Sequence, residues 1–255
     1  MDYNNTHKVE LAKKIYLYLA AIFITSLVVS NLIFQKFISW HPFDVEILGN
    51  KLFELSVGIL PYPITFLVTD LISEIYGKKK ANQVVIAGIF ASLFSLLILT
   101  VADFLPAIQN SPIDDSTFKL VFSKSLIAVS ASMASYLLAQ FVDIKIYHFW
   151  KNLTKGKMLW LRNNFSTFFS QILDTFTIVF LLCYFQVIPW ESFTGLFVSG
   201  VIFKILVAAV DTPLLYLGVY FFRKKFNLKI NEEIKIYFNS ISITNPSFDL
   251  TLKTD

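Results

Sequence analysis

Long apolar stretches alternate with short basic segments along this chain, and each apolar stretch is about as long as a bilayer core requires. A helix crossing a membrane needs about 20 predominantly apolar residues. Such runs are read at residues 15–35, 55–76, 83–102, 124–146, 165–187 and 194–221, which predicts an all-α, polytopic membrane protein with six transmembrane helices. The first run follows Lys13 and Lys14, as the core of a signal peptide would. It is too long for one and continues to Asn31, Phe34 and Gln35, so it is expected to remain as a helix. Pro61 and Pro63 in "PYP", and Pro213 further on, are helix breakers that would free backbone groups near polar positions.

Composition agrees with that pattern. Of 255 residues, 55% are hydrophobic and only 16% are charged, against about 25% charged in soluble domains. The net charge of +4 arises from short basic clusters between apolar runs, which is a topology signal and not a nucleic-acid footprint. One group of connections holds Lys8, Lys13, Lys14, Lys78–Lys80, Lys145, Lys151, Lys155, Lys157, Arg162, Arg223–Lys225 and Lys229. The opposite connections hold Lys36, Lys51, Lys119 and Lys124 beside Asp44, Glu46, Asp103, Asp114, Asp115 and Glu191. With six spans every basic cluster falls on one side, so both termini are expected in the cytoplasm. Residues 1–229 then form one transmembrane domain, and 230–255 form a mixed polar tail expected to be flexible.

Soluble-enzyme templates find nothing to hold. Cys183 is the one cysteine, the histidines are scattered, and no HExxH, P-loop, GxGxxG or GxSxG pattern occurs. No metal, cofactor or catalytic residue is therefore expected. An intramembrane protease using Asp174 and Asp211 as a dyad is the enzyme alternative, and no GxGD-like motif accompanies either residue.

The informative positions are polar residues inside apolar runs, each costing about 2.5–3.5 kcal/mol for a charge at the middle of a membrane helix. At helical spacing, Thr65, Thr69, Asp70, Ser73 and Glu74 share one wedge, as do Thr167, Gln171, Asp174 and Thr175. Tyr136, Gln140, Asp143 and Tyr147 line up on the fourth run, and Gly200, Lys204, Ala208 and Asp211 on the sixth. Four stripes on separate helices are most easily satisfied around a common cavity. The bland alternatives are polar glue between helices, a pairing of Asp143 with Lys145 or Lys151, and a pairing of Glu74 with Lys78. Small residues in "AVSASMASYLLAQ" mark a close helix-packing seam, and Arg162, Asn163 and Asn164 are expected to cap the fifth helix.

The segments "YPITFLVTDLISEIYGKKKANQVV", "LAQFVDIKIYHFWK", "LWLRNNFSTFFSQILDTFTIVF" and "FKILVAAVDTPLLYL" resemble, in order, the queuosine precursor transporter family, also called the vitamin uptake transporter family. The resemblance implies a six-helix inner-membrane importer of 7-deazaguanine bases for tRNA modification. Its partners would be that small base and the lipid bilayer, with no nucleic acid bound directly and a homo-oligomer left open. On that resemblance Asp70, Glu74, Gln171, Asp174 and Asp211 are expected at the solute site or its gate, with Lys204 balancing a carboxylate. Asn31, Gln140, Asp143 and Arg162 are weaker members of the same set. The six-span count is also that of ligand-capturing subunits of energy-coupling-factor vitamin importers, the runner-up reading.

Overall fold

The computed structural model describes residues 3–34, 36–39, 46–47, 50–51, 54–123, 126–230 and 232–234. Long helices account for most of it: α1 (Tyr3–Ile33), α2 (Tyr62–Ile75), α3 (Lys78–Asp103), α5 (Leu126–Leu153), α6 (Leu159–Tyr184) and α7 (Phe193–Phe226), with a single-turn α4 (Asp115–Phe118) between α3 and α5. Five of the described helical stretches are long and apolar enough to cross a membrane: His7–Ile33, Val57–Ile75, Lys78–Asp103, Leu159–Tyr184 and Trp190–Phe226. The remaining long helix, α5, has 28 residues and carries Asp143, Lys145 and Lys151 in its second half.

Polarity is distributed inside-out. Phe90 is 73% exposed and Leu97 is 59% exposed, whereas Gln140, Asp143 and Arg162 are 0% exposed. A water-soluble domain would reverse that order. Along α6 the division follows the helical period: Arg162, Ser166, Ser170 and Asp174 are buried, while Phe165, Phe168, Phe169 and Phe176 face outward. The outer apolar surface suits lipid, and the polar groups find their partners within the bundle.

Local chemistry sets the helix ends. Pro61 and Pro63 fall at the N-cap and first turn of α2, where a missing N–H costs nothing, so they start that helix and do not interrupt it. A preceding 3-10 turn, Val57–Ile59, begins with Ser56, whose hydroxyl accepts from the Gly58 N–H at 3.1 Å. Gly58 lies where α1 passes closest, since a Cβ there would stand 2.6 Å from the Ser30 carbonyl oxygen. Gly77 ends α2 with φ of 83°, a conformation suited to glycine, and α3 begins at the next residue. Pro213 lies inside α7, which continues past it; the neighbouring Thr212 hydroxyl donates to the Ala208 carbonyl at 2.9 Å. In α4 the exposed Asp114 carboxylate accepts from Thr117 and Ser116, and those hydrogen bonds hold its carboxyl below the usual range.

Between α1 and α2 the sequence indicates no regular element, yet short antiparallel pairs form there. β1 (Phe37–Ser39) pairs with β4 (Glu54–Ser56) so that Ile38 opposes Leu55, and β2 (Glu46–Ile47) pairs with β3 (Asn50–Lys51). Strands of two or three residues are too short for alternation to be read. The start of the polar tail makes two contacts with the bundle where it is described. Ile234 N–H donates to the Ile75 carbonyl at 2.7 Å, and Glu233 pairs with Lys151 at 2.8 Å. The remainder of the expected flexible tail, residues 235–255, lies outside the described residues.

Candidate solute-binding site

Asp174 is the centre of the site. Its helix, α6, exposes phenylalanines to one side and so turns the carboxylate inward, leaving the residue 4% exposed. The Lys204 ammonium from α7 and the Tyr62 hydroxyl from α2 both donate to Oδ2. The Ser135 hydroxyl from α5 lies 2.8 Å from Oδ1 and 2.6 Å from the Asp174 carbonyl oxygen. Four helices therefore converge on one carboxylate. The ammonium also lies 4.5 Å from the centre of the Tyr62 ring, a cation–π distance.

A cavity of about 220 Å³ stands beside this ion pair, far more than the roughly 10–15 Å³ that one water needs. Asn31, Tyr62, Ser132, Tyr136, Asp174, Thr175 and Lys204 form its polar wall, and Leu27, Val179, Leu182 and Leu196 its apolar wall. It extends from the level of Asp174 to Ser56 and Ile188, in the connections at one end of the bundle. Ser132 donates to the Asn31 side-chain oxygen at 3.4 Å, and the buried Asn31 Nδ2 has no hydrogen-bond partner among the described residues. Tyr136 packs edge-on to Tyr62, with centroids 5.5 Å apart and planes at 74°. Such a wall offers a carboxylate acceptor, ammonium and amide donors and two aromatic rings, suited to a flat heterocycle.

A deeper layer holds other residues singled out by the sequence. Gln140 accepts from the Thr69 hydroxyl at 3.2 Å and donates to the Tyr136 hydroxyl at 2.7 Å. Ser170 donates to Asp143 at 3.0 Å, and the Asp70 and Asp143 carboxyls lie within hydrogen-bond reach of each other. Gln171 and Asp211 line a narrow void that shares Tyr62 and Lys204 with the main cavity. Asp174 pairs with Lys204, whereas Asp211 follows Lys204 by seven residues, about 10 Å along α7, and no bond between Asp174 and Asp211 occurs among the described contacts. Asp143 pairs with neither Lys145 nor Lys151 among the described contacts.

Glu74 occupies a third position, at the end of the bundle that carries the basic clusters. Arg162 approaches it at 2.6 Å, Arg223 at 2.5 Å and Lys151 at 3.7 Å, while the Tyr147 hydroxyl donates at 3.2 Å. Those residues belong to α5, α6 and α7, so the carboxylate ties three helices to α2. Arg162 does not cap α6, which begins at Leu159; it is fully buried and also donates to the Gly156 carbonyl at 3.0 Å. Asn163 reaches the Thr212 hydroxyl at 3.3 Å, and Asn164 bonds back to the Trp160 carbonyl at 2.7 Å.

Sequence reasoning did not select Tyr62, Ser132, Ser135 or Tyr136 for the site. Tyr136 was visible on the polar stripe with Gln140, and Tyr62 lies on the face of Thr65 and Thr69, at i, i+3 and i+7. Hydroxyls carry no insertion cost large enough to announce a role. Lys151 and Arg223 counted as topology charges, although both reach into the bundle.

An inside-out helical bundle around a cavity with one polar and one apolar wall is an architecture suited to a multi-pass membrane transporter. A family profile described as "Putative vitamin uptake transporter" matches residues 56–218, and the chain belongs to that family, whose members are transporters and not enzymes. The chain is 26% identical over 162 residues to a Bacillus subtilis (strain 168) protein named "Probable queuosine precursor transporter", covering 63% of this chain and 70% of that one. It is 24% identical over 160 residues to a Haemophilus influenzae (strain ATCC 51907 / DSM 11121 / KW20 / Rd) protein of the same name, covering 62% of this chain and 65% of the relative. No solved structure matches the chain.

Proposed function

We propose that the protein imports queuosine precursors, 7-deazaguanine bases such as the 7-cyano or 7-aminomethyl forms or queuine, across the inner membrane for use in tRNA modification. Residues 1–229 act as one transport domain with six spanning helices, α5 included, and both termini in the cytoplasm. The alternation of basic connections supports that orientation. The cavity then reaches the periplasmic side, and the Glu74 ion cluster closes the cytoplasmic side.

The Asp174–Lys204 pair in the cavity wall carries the reading. A guanine-like ring presents N1–H and an exocyclic amine on one edge, and a carboxylate accepts both. Its O6 accepts from an ammonium, and Lys204 has N–H groups left after bonding Asp174. Asn31 supplies a further amide donor, and Gln171 and Asp211 stand where the base would move next. Tyr62 and Tyr136 offer rings against which the base can stack. A wrong base would leave buried polar groups unpaired, which discriminates far better than an apolar pocket of the same shape.

The test is complementation of a strain lacking both precursor synthesis and its own importer. Each base is supplied separately and queuosine is measured in tRNA. Restoration by this chain alone supports a self-sufficient carrier; a requirement for an added ATPase would support a docking subunit. Full queuosine with Asp174→Ala in the membrane at normal level would overturn the site.

A further inference from the structure

Two buried carboxyls, Asp70 on α2 and Asp143 on α5, face each other, and no cation is bonded to either among the described residues. Asp143 is 0% exposed and Asp70 is 3% exposed. One oxygen of each, Asp70 Oδ1 and Asp143 Oδ2, is buried with no hydrogen-bond partner among the described residues. The other Asp143 oxygen accepts from Ser170. Two carboxylates at hydrogen-bond distance in a dry interior cannot both stay ionised, because their repulsion is unscreened there. A single proton held between the two residues makes one carboxyl a donor to the other.

The pair is also connected to the main cavity. The void lined by Gln171 and Asp211 shares Tyr62 and Lys204 with the cavity, and it shares Phe66, Thr167 and Asp211 with a further void lined by Asp70. That last void measures about 10 Å³, room for about one water. Asp211 therefore stands midway between Lys204 and Asp70. On the other side Ser170, which bonds Asp143, precedes Asp174 by four residues, about 6 Å along α6.

The remaining groups around the pair do not replace the proton. Tyr62, Tyr136 and Asp211 lie on the cavity side, and Tyr147 and Arg162 lie towards the basic end. The Arg162 charge is engaged by Glu74 at 2.6 Å. Glu74 itself, the other acidic residue of α2, is fixed by three cations and is unsuited to gaining and losing a proton during a cycle.

We propose that Asp70 and Asp143 together hold one proton and form the coupling-ion site of the transporter, loaded from the solute cavity by way of Asp211. Solute entry would then be driven by the proton gradient. The inference rests on reading the chain as a solute importer and adds the ion that moves with the solute. No bond other than O–H is made or broken: the proton leaves water in the cavity, resides between the carboxyls and departs to water on the cytoplasmic side.

The experiment uses the full chain in liposomes with labelled 7-cyano-7-deazaguanine. Imposing an exterior one pH unit more acidic should raise accumulation towards about tenfold, the limit for one proton carried with each base. A protonophore should abolish the rise, and a pH dye should report proton entry with the base. Asp70→Asn and Asp143→Asn should lose gradient-driven accumulation while still exchanging labelled for unlabelled base across the membrane. The wild-type dye measurement needs no variant to fold. Base transport that ignores the pH gradient, or that follows sodium instead, overturns the proton site and leaves the importer reading intact. No transport of any 7-deazaguanine by the wild type overturns both.

Discussion

Lys204 on α7 and Asp174 on α6 pair at the wall of the cavity, beneath the ring of Tyr62 on α2. Their helices are consecutive in the chain, and the pair fixes which faces meet. Both charges are mostly hidden, with side-chain exposures of 10% and 6%, so neither is compensated by water if its partner is lost.

Lys204→Met should therefore cost about 3–5 kcal/mol, the usual effect of stranding one member of a buried pair. The double variant Asp174→Asn with Lys204→Met should recover much of that loss in thermal unfolding of detergent-solubilised protein. Both variants should fail in uptake. Wild-type uptake by the double variant would remove the pair from the solute site.

Glu74→Gln leaves Arg162 and Lys151 buried beside a neutral amide. The expected destabilisation is again of order 3–5 kcal/mol, and limited proteolysis should find the basic end opened. Because Glu74 ties helices together outside the cavity, solute affinity of the surviving folded fraction should hold. A selective loss of affinity with unchanged stability would instead place Glu74 at the solute.

Gly77 joins α2 to α3 with φ of 83° and ψ of 169°, a region open essentially to glycine alone, so Gly77→Ala should cost about 1–3 kcal/mol. A Cβ there would also stand 2.3 Å from Glu233 Oε2. Glu233→Gln should release the tail from Lys151 with little effect on unfolding, because Glu233 is partly exposed and such pairs contribute about 1 kcal/mol or less. Faster proteolysis of the tail in Glu233→Gln, with unfolding unchanged, is the check.

Gly200 lines the cavity on α7, and a Cβ there would come within 2.8 Å of the Thr175 methyl. Gly200→Val should push Thr175 and take up space where the base is proposed to lie. Packing strain of about 1–3 kcal/mol is expected, with a larger proportional loss in base affinity than in stability. Unchanged affinity in a binding titration would move the base away from this wall.

Much of the helical layout was legible because insertion into lipid has one dominant requirement, a long apolar run. The polar stripes were legible for the same reason: Asp70, Asp143, Asp174 and Lys204 are costly in lipid and so must turn inward. Helix ends were less visible. α6 begins six residues before its apolar run, because Arg162 and Asn163 look like flanking residues until Glu74 and Thr212 are seen to receive them. Tyr62 and Ser135 were passed over because a hydroxyl in an apolar run is inexpensive and common.

By itself the sequence determined that the chain is a bundle of membrane helices with inward polar faces, since hydropathy and helical period are local properties. Partner choice is not local. Only the tertiary structure decided that Lys204 meets Asp174, that Glu74 gathers Arg162, Arg223 and Lys151, and that Asp70 faces Asp143. The physical reason is that a buried charge requires compensation without specifying its source, and helix packing selects among residues up to 149 positions apart.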